Sequence, residues 1–381
     1  MKIGVLTISS PDGGGVYQYT LSLLEALKLI RSKFDFVQIR YPDFPKILDK
    51  DIIINKQKSS IALKIKRIVH AYTNIVIGNL IPNIHDKLAS IDLIISPAIS
   101  LLPFHMKKMY IVTIHDFQQE YYPNFFTLKE RISRKIVYRT GQKASLVICE
   151  SDFVKRDIMK FLNVSEQKIK VISSPPPSYL QKIEIIIDKL KEIKDKYNLP
   201  ERYIFYPAQF WFHKNHIKLL EALSLLRNKY NTIVPLILVG SKKNNFNNVM
   251  KAINKLNLER QVKYLGYVPD EEMPYLYKLS TALVMPTLFE SVSMPIWEAF
   301  YLGCTVVSSN VCALPEQVGD AGLLFDPNNV ENMAERIYKI WTDKNLRQEL
   351  IQKGYERVKD FTIENYAKKW EKIIEEVVLK I

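Results

Sequence analysis

Residues 282–303 read ALVMPTLFESVSMPIWEAFYLG. Ala282 to Met285 form an apolar run of strand length, and the proline, threonine and serines that follow interrupt it. Pro295 stands where a helix would start, a position that tolerates proline because the missing N–H has no intrahelical partner there. Gly303 then acts as a C-terminal stop, since glycine takes left-handed backbone at little cost. Strand, loop, helix and stop make one unit of a parallel sheet.

Outward from this unit the pattern repeats. Short Val/Ile-rich runs fall at 3–8, 92–96, 110–113 and 146–150, then at 203–206, 236–239, 262–265 and 305–308, with amphipathic helical stretches between them. Continuous apolar strands separated by helices indicate parallel sheets covered on both faces. The series runs twice, and 381 residues exceed the size at which one core stops growing. The expected fold class is therefore α/β with two Rossmann-like domains.

The break falls at Ser173-Ser174-Pro175-Pro176-Pro177, where three prolines can continue neither a helix nor a central strand. The domains expected are 1–175 and 176–362, the second entered through a helix from about 179 to 197. A last amphipathic helix, 363–381, carries Trp370, Ile373, Ile374 and Val377 along one face and is expected to pack back on the N-terminal domain. No repeat of solenoid period is present.

Composition narrows the function. A 47% hydrophobic and 25% charged chain is that of a globular protein rather than a disordered one. Cys149, Cys304 and Cys312 show no CxxC spacing, so neither a disulfide framework nor a zinc site is indicated, and a reducing compartment is expected. The run 3–8 is too short for a signal segment, and no 18-residue apolar stretch occurs. The expected location is cytoplasmic, with the inner face of the membrane as a peripheral site.

The net charge of +14 is uneven: residues 1–185 hold 27 Lys/Arg against 16 Asp/Glu, the remainder 27 against 24. A basic half suits an anionic partner, nucleic acid or an anionic membrane, or is simply a solvated surface. Basic clusters lie at 56–67 and 129–143, the second with Ile132, Ile136 and Val137 behind its cations. That arrangement fits an interfacial helix on an anionic bilayer or an ordinary solvated helix over a core stripe. The interleaved aromatics of a single-strand nucleic-acid platform are missing, so no nucleic-acid partner is expected.

Chemistry concentrates in 286–298. Glu290 lies in the loop and Glu298 in the early helix. The amides of Ser291, Val292, Ser293 and Met294 would cluster at a helix N-terminus, which suits a phosphate. A carboxylate one turn inside can accept both hydroxyls of a ribose diol. On spacing alone, two acids favoured by the helix dipole are the simpler explanation.

The wider segment adds to the spacing. FESVSMPIWEA at 289–299, followed by GCTVVSSN at 303–310 and ALPEQVGDAGLLFDP at 313–327, resembles the C-terminal signature of glycosyltransferase family 4, retaining enzymes of the GT-B fold. The resemblance covers most of 200–365 and aligns Glu290 and Glu298 with the family's E-x7-E motif. It implies a GT-B architecture whose two parallel sheets face an interdomain cleft, with the nucleoside-diphosphate sugar held by the C-terminal domain and the acceptor by the N-terminal one. It also implies that Glu290 contacts the transferred sugar and Glu298 the ribose. The family's Gly-Phe-Gly after the first glutamate is Ser291-Val292-Ser293 here, which adds bulk beside the donor.

Lys214, in YPAQFWFHKNH at 206–216, matches the family lysine that neutralises the donor diphosphate, while Gln209 stands where an arginine is usual. His213 or His216 is a candidate replacement for that charge, although a packed or solvated histidine is the commoner case. Gly13-Gly14-Gly15 resembles the family's phosphate-facing loop, with Gly14 and Gly15 as donor-binding candidates; alone it reads as a tight strand-to-helix turn. His115 matches the histidine that reaches the sugar, with Asp116 a candidate to fix its tautomer. Backbone near Gly240, Tyr267 and Val268 is the candidate base site, and the aromatics of 117–126 suit an acceptor surface as well as ordinary packing.

Asp49-Lys50-Asp51 is formally a DxD metal motif, but it precedes rather than follows a strand and is discounted. No cofactor and no metal are expected. The resemblance implies a retaining hexosyltransferase using a GDP- or UDP-linked donor and a saccharide or lipid-linked acceptor, in surface polysaccharide or glycan assembly. A nucleotide-sugar epimerase or hydrolase of the same fold, and a basic nucleic-acid-binding protein, are the alternatives.

Overall fold

The structure is a computed structural model that describes residues 1–9, 14–55, 61–73, 80, 84–105, 107–181 and 183–379. The chain divides into two compact units, Met1–Ser174 with Ile363–Ile381, and Pro175–Thr362. Each is a parallel sheet with helices on both faces.

In the first unit the strands are β1 (Lys2–Thr7), β2 (Asp35–Arg40), β3 (Lys50–Ile53), β4 (Leu93–Ser96), β5 (Met109–Thr113), β6 (Leu146–Cys149) and β7 (Ile169–Val171). Their order is β3-β2-β1-β4-β5-β6-β7 and every pairing is parallel. Alternation sorts the side chains: Ile3 and Val5 of β1 enter one core, Leu6 the other. Helix Gly15–Leu29 covers the first face together with helix Ile363–Val378, whose Trp370 is fully buried. The terminal helix thus completes the core of this unit.

The second unit holds β8 (Ile204–Pro207), β9 (Leu236–Val239), β10 (Val262–Tyr264), β11 (Ala282–Met285), β12 (Thr305–Ser309) and β13 (Gly322–Phe325), ordered β10-β9-β8-β11-β12-β13. All of its pairings are parallel.

Three strands escaped the pattern of apolar runs. β2 carries Asp35, Gln38 and Arg40, while β7 and β13 are short strands at a sheet edge; the strand expected after Asp51 is β3, which begins two residues earlier, at Lys50. The helix expected over 179–197 is divided into Ser178–Gln181 and Ile187–Lys196. The intervening Ile183, Ile185 and Ile186 are β-branched residues, which lose χ1 freedom in a helix. Asp51 lies inside β3 and pairs with Arg40 at 2.8 Å and Lys46 at 2.9 Å, so its charge is already balanced by protein cations. Among the described residues, no helix is long and apolar enough to cross a membrane.

Candidate functional site

In the second unit the strand order reverses at β8, which has β9 on one side and β11 on the other. Open α/β sheets bind ligands outside the carboxyl ends of strands at such a point. The loop after β8 carries Gln209 and Lys214, and the loop after β11 carries Glu290. The two are stitched together. His213 O accepts from Leu288 N–H at 2.7 Å and from Thr287 Oγ1 at 3.1 Å. Buried Asn215, in left-handed backbone, donates its side-chain amide to Pro286 O at 2.9 Å and Pro327 O at 3.0 Å. Lys214 Nζ and Glu290 Oε2 close into an ion pair, both side chains largely screened from solvent.

Helix Met294–Leu302 begins at the same edge, with Pro295 in its first turn and Gly303 at φ +68° as its stop. Ser291 and Val292 are half-buried in the loop, and Met294 is the first helical residue. The Ser293 amide, expected among the free donors, is instead held by Gln317: Ser293 N–H donates to Oε1 at 2.9 Å, and Nε2 donates back to Ser293 O at 2.7 Å. Ser293 Oγ is buried and has no hydrogen-bond partner among the described residues. Such a hydroxyl costs free energy until something pairs with it.

Glu298 is buried one turn inside that helix. Its Oε1 accepts from Tyr179 OH at 3.2 Å and its Oε2 from Tyr277 OH at 2.5 Å. Burial pushes its carboxyl above the usual range, the two tyrosine hydroxyls pull it back, and Asp270 adds repulsion. Each oxygen retains a lone pair beyond the tyrosine bond, enough for a diol. Neither tyrosine lies in a motif, and Tyr179 is 119 residues from Glu298 in sequence, so no local signal announced them.

At the neighbouring strand ends, Gly240 N–H donates to Gly266 O at 3.1 Å and Gly240 O accepts from Tyr264 OH at 2.8 Å. Tyr267 is 82% exposed and Val268 is buried. Gln209 Oε1 accepts from Trp211 Nε1 at 2.9 Å. His213 and His216 are both pushed down to about 3 by burial and by the adjacent Lys214 charge, and His216 stacks on Phe210 at 4.5 Å. Neither replaces the arginine charge missing at Gln209.

The first unit reverses its order between β1 and β4. Gly14, at φ +60°, precedes helix Gly15–Leu29, and a Cβ on Gly15 would meet nothing within 4 Å. Gly13 lies outside the described residues. Past β5, His115 Nδ1 faces Glu150 Oε2 at 3.0 Å and Nε2 faces Pro97 O at 2.8 Å. The partner on Nδ1 is therefore Glu150, at the end of β6, and not the expected Asp116. Asp116 turns away to accept from Gln118 N–H at 3.0 Å and lies 4.0 Å from Arg134. Successive side chains on extended backbone point in opposite directions, so a strand-end histidine meets the adjacent strand's residue before its own neighbour.

Helix Leu128–Tyr138 starts with a capping box between Thr127 and Glu130. Ile136 and Tyr138 are buried, but Ile132, expected behind the cations, is 50% exposed and Leu128 is 70% exposed. Both line a groove with Arg131, Lys135 and Arg139. Among the aromatics of 117–126, Phe117 is buried, whereas Tyr121 and Phe125 reach solvent. Of the other basic cluster, residues 56–60 lie outside the described residues.

Comparison with known proteins places the chain in a family. The family model described as "Glycosyl transferases group 1" matches residues 188–357, and that described as "Glycosyltransferase Family 4" matches 13–175. O-antigen chain mannosyltransferase B of Escherichia coli is 31% identical over 270 residues, 69% of each chain. O-antigen chain mannosyltransferase RfbU of Salmonella typhimurium is 24% identical over 336 residues, 86% of this chain and 88% of that one. Among solved structures, HepE of Anabaena in complex with UDP and glucose superposes with a TM-score of 0.76 at 17% identity, covering 98% of this chain and 99% of that one. Sucrose-phosphate synthase from Thermosynechococcus elongatus gives 0.77 at 18% identity, covering 99% and 100%. The chain is a GT-B glycosyltransferase and belongs to glycosyltransferase family 4.

Proposed function

We propose that the chain transfers a hexose, mannose first among candidates, from a nucleoside-diphosphate donor to a saccharide or lipid-linked acceptor in surface-polysaccharide assembly. The observation that carries this reading is the convergence of Lys214, Glu290, Glu298 and the start of helix Met294–Leu302 at the switch point of the second sheet. Mannose and the polysaccharide setting rest on the relatives' names.

The residues divide the donor between them. Lys214 meets the diphosphate and balances the charge that grows on it as the sugar leaves. Glu290, released from Lys214 by that phosphate, orients the sugar hydroxyls. The free oxygen sites of Glu298 take the ribose diol, and the orphaned Ser293 hydroxyl gains a partner on the donor. Retention of configuration and independence from divalent metal are carried over from the family. In that scheme the leaving phosphate accepts the acceptor's proton.

Calorimetry with GDP, UDP, dTDP, CDP and ADP, in EDTA and then in magnesium, tests the assignment. One diphosphate is expected to bind without metal, and Glu298→Ala to weaken it about a hundredfold or more, the loss of two hydrogen bonds to a charged group. Equal affinity in wild type and variant would remove Glu298 from the ribose site.

The exposed Leu128 and Ile132, beside Arg131 and Lys135, suit an anionic membrane surface that presents a lipid-linked acceptor. Replacing both apolar residues by Asp is expected to lower binding to phosphatidylglycerol vesicles at least tenfold, since each buried side chain is worth about 1.5 kcal/mol or more. Unchanged vesicle binding would leave the helix as an ordinary solvated surface.

A further inference from the structure

Both ring nitrogens of His115 face groups that only accept. Pro97 O is a carbonyl and Glu150 Oε2 belongs to a carboxylate, at 2.8 and 3.0 Å. A neutral imidazole has one N–H and one lone pair, so either tautomer would leave a lone pair directed at an acceptor. With Glu150 ionised, both contacts are satisfied together only when the ring carries two protons; the alternative, a neutral ring accepting from a protonated Glu150, would leave Nδ1 without its proton. The rest of Glu150 is committed as well. Its Oε1 accepts from Ser174 Oγ at 2.6 Å, its backbone O accepts from Ser173 Oγ at 2.6 Å, and the residue is 7% exposed.

We propose that Glu150 is a positioning residue that holds His115 as an imidazolium, clamped between the Glu150 carboxylate and the Pro97 carbonyl, so that the reaction meets a fixed positive charge at the end of β5 rather than a proton-transfer group. This rests on the glycosyltransferase reading above and deepens it. A ring with both N–H groups tied to protein acceptors has no lone pair with which to act as a general base. It does have a charge, countered on one side by Glu150, that oxygen-rich groups of a substrate can meet at the end of β5.

The surroundings agree. Burial opposes the charged ring and is the largest single influence, but the hydrogen bond and charge of Glu150, the Pro97 carbonyl and the Asp116 charge together raise His115 above its ordinary value. Tyr19, from helix Gly15–Leu29, sets its ring edge-on against His115 at 4.8 Å and its hydroxyl against Thr113 Oγ1 at 3.0 Å. Tyr366, from the terminal helix, lies in the same electrostatic neighbourhood as Tyr19 and Glu150. Burial pushes both phenols upward, so they stay neutral wherever His115 titrates. Because the folded-state value of His115 is raised, its charge is complete at low pH and is lost as pH rises through that value. Transfer should therefore decline on the alkaline side, the opposite of a general base.

The test uses the full chain with nitrogen-15-labelled histidine, His115 assigned through His115→Gln. In wild type at pH 7 both ring nitrogens are expected to show protonated shifts. Glu150→Gln, which keeps the shape but removes the charge, should move the titration midpoint downward. With GDP-mannose and UDP-glucose as donors, its transfer at neutral pH should fall about tenfold to a hundredfold, the loss of one hydrogen bond to a charged group. One unprotonated nitrogen in wild type at pH 7 would overturn the inference without any variant. An unmoved midpoint, or wild-type transfer by Glu150→Gln across the pH range, would overturn it too. If wild type consumes neither donor, the transferase reading with these sugars fails, and the nitrogen shifts still decide the state of the pair.

Discussion

Lys214→Ala should lower kcat/KM for the donor about 10²–10³-fold, the range for removing one preorganised group that stabilises developing charge. Lys214 already lies against Glu290, with both side chains about four-fifths shielded. Taking the ammonium away does two things at once. On the proposed assignment it removes the counter-charge for the diphosphate, and it leaves Glu290 as an unpaired, largely buried carboxylate that would face an anionic ligand. Gln209, His213 and His216 do not take over. Gln209 is neutral and bonded to Trp211, and His213 and His216 are held uncharged. Glu290→Gln separates the two effects, since it relieves the repulsion and keeps the shape. The double variant Lys214→Ala/Glu290→Gln should therefore bind diphosphate more tightly than Lys214→Ala alone, although it transfers no faster. A Lys214→Ala enzyme within threefold of wild type would mean the phosphates are held elsewhere. Non-additivity in this cycle is expected, because the residues touch.

The sequence reads well where periodicity and chemistry coincide. The unit at 282–303 folds as its residues indicate, strand Ala282–Met285 and helix Met294–Leu302 with Gly303 as its stop. Two parallel sheets follow from the paired series of apolar runs, because a strand buried on both faces needs no polar residue. What stayed hidden is long-range. Glu150 and His115 are 35 residues apart and meet only because β5 and β6 are neighbours, whereas Asp116 is adjacent in sequence and points away. Tyr179, Tyr277 and Gln317 grip Glu298 and Ser293 from separate elements. A hydroxyl or amide that supports a carboxylate carries no spacing rule. Edge strands such as β7 and β13 fail for a related reason: they are too short for periodicity to emerge from composition.

Gly240→Ala should destabilise the second unit by about 3 kcal/mol or more, which would lower its thermal midpoint by roughly 6–12 °C for a unit of this size. Gly240 sits at φ +141°, a conformation that L side chains rarely adopt, and a Cβ there would lie 2.3 Å from Ala208 O and 2.9 Å from Gln209 N. Those atoms are backbone, so no rotamer change can make room. Gly266 supplies the comparison. It also has positive φ, at +78°, but a Cβ would meet nothing within 4 Å. Gly266→Ala should therefore cost only the dihedral strain, about 1 kcal/mol. The difference between the two variants isolates the close approach of the β9 end to the β8 end. That approach has a functional consequence. Ala208 and Gln209 open the loop that carries Lys214, so forcing them outward should weaken diphosphate binding in Gly240→Ala even where the protein remains folded. Equal midpoints for the two variants would show that the strand ends yield freely, and the Lys214 loop would then owe its position to its other ties, among them Asn215, the His213 carbonyl and the Tyr206 hydroxyl that donates to Lys214 O at 2.8 Å.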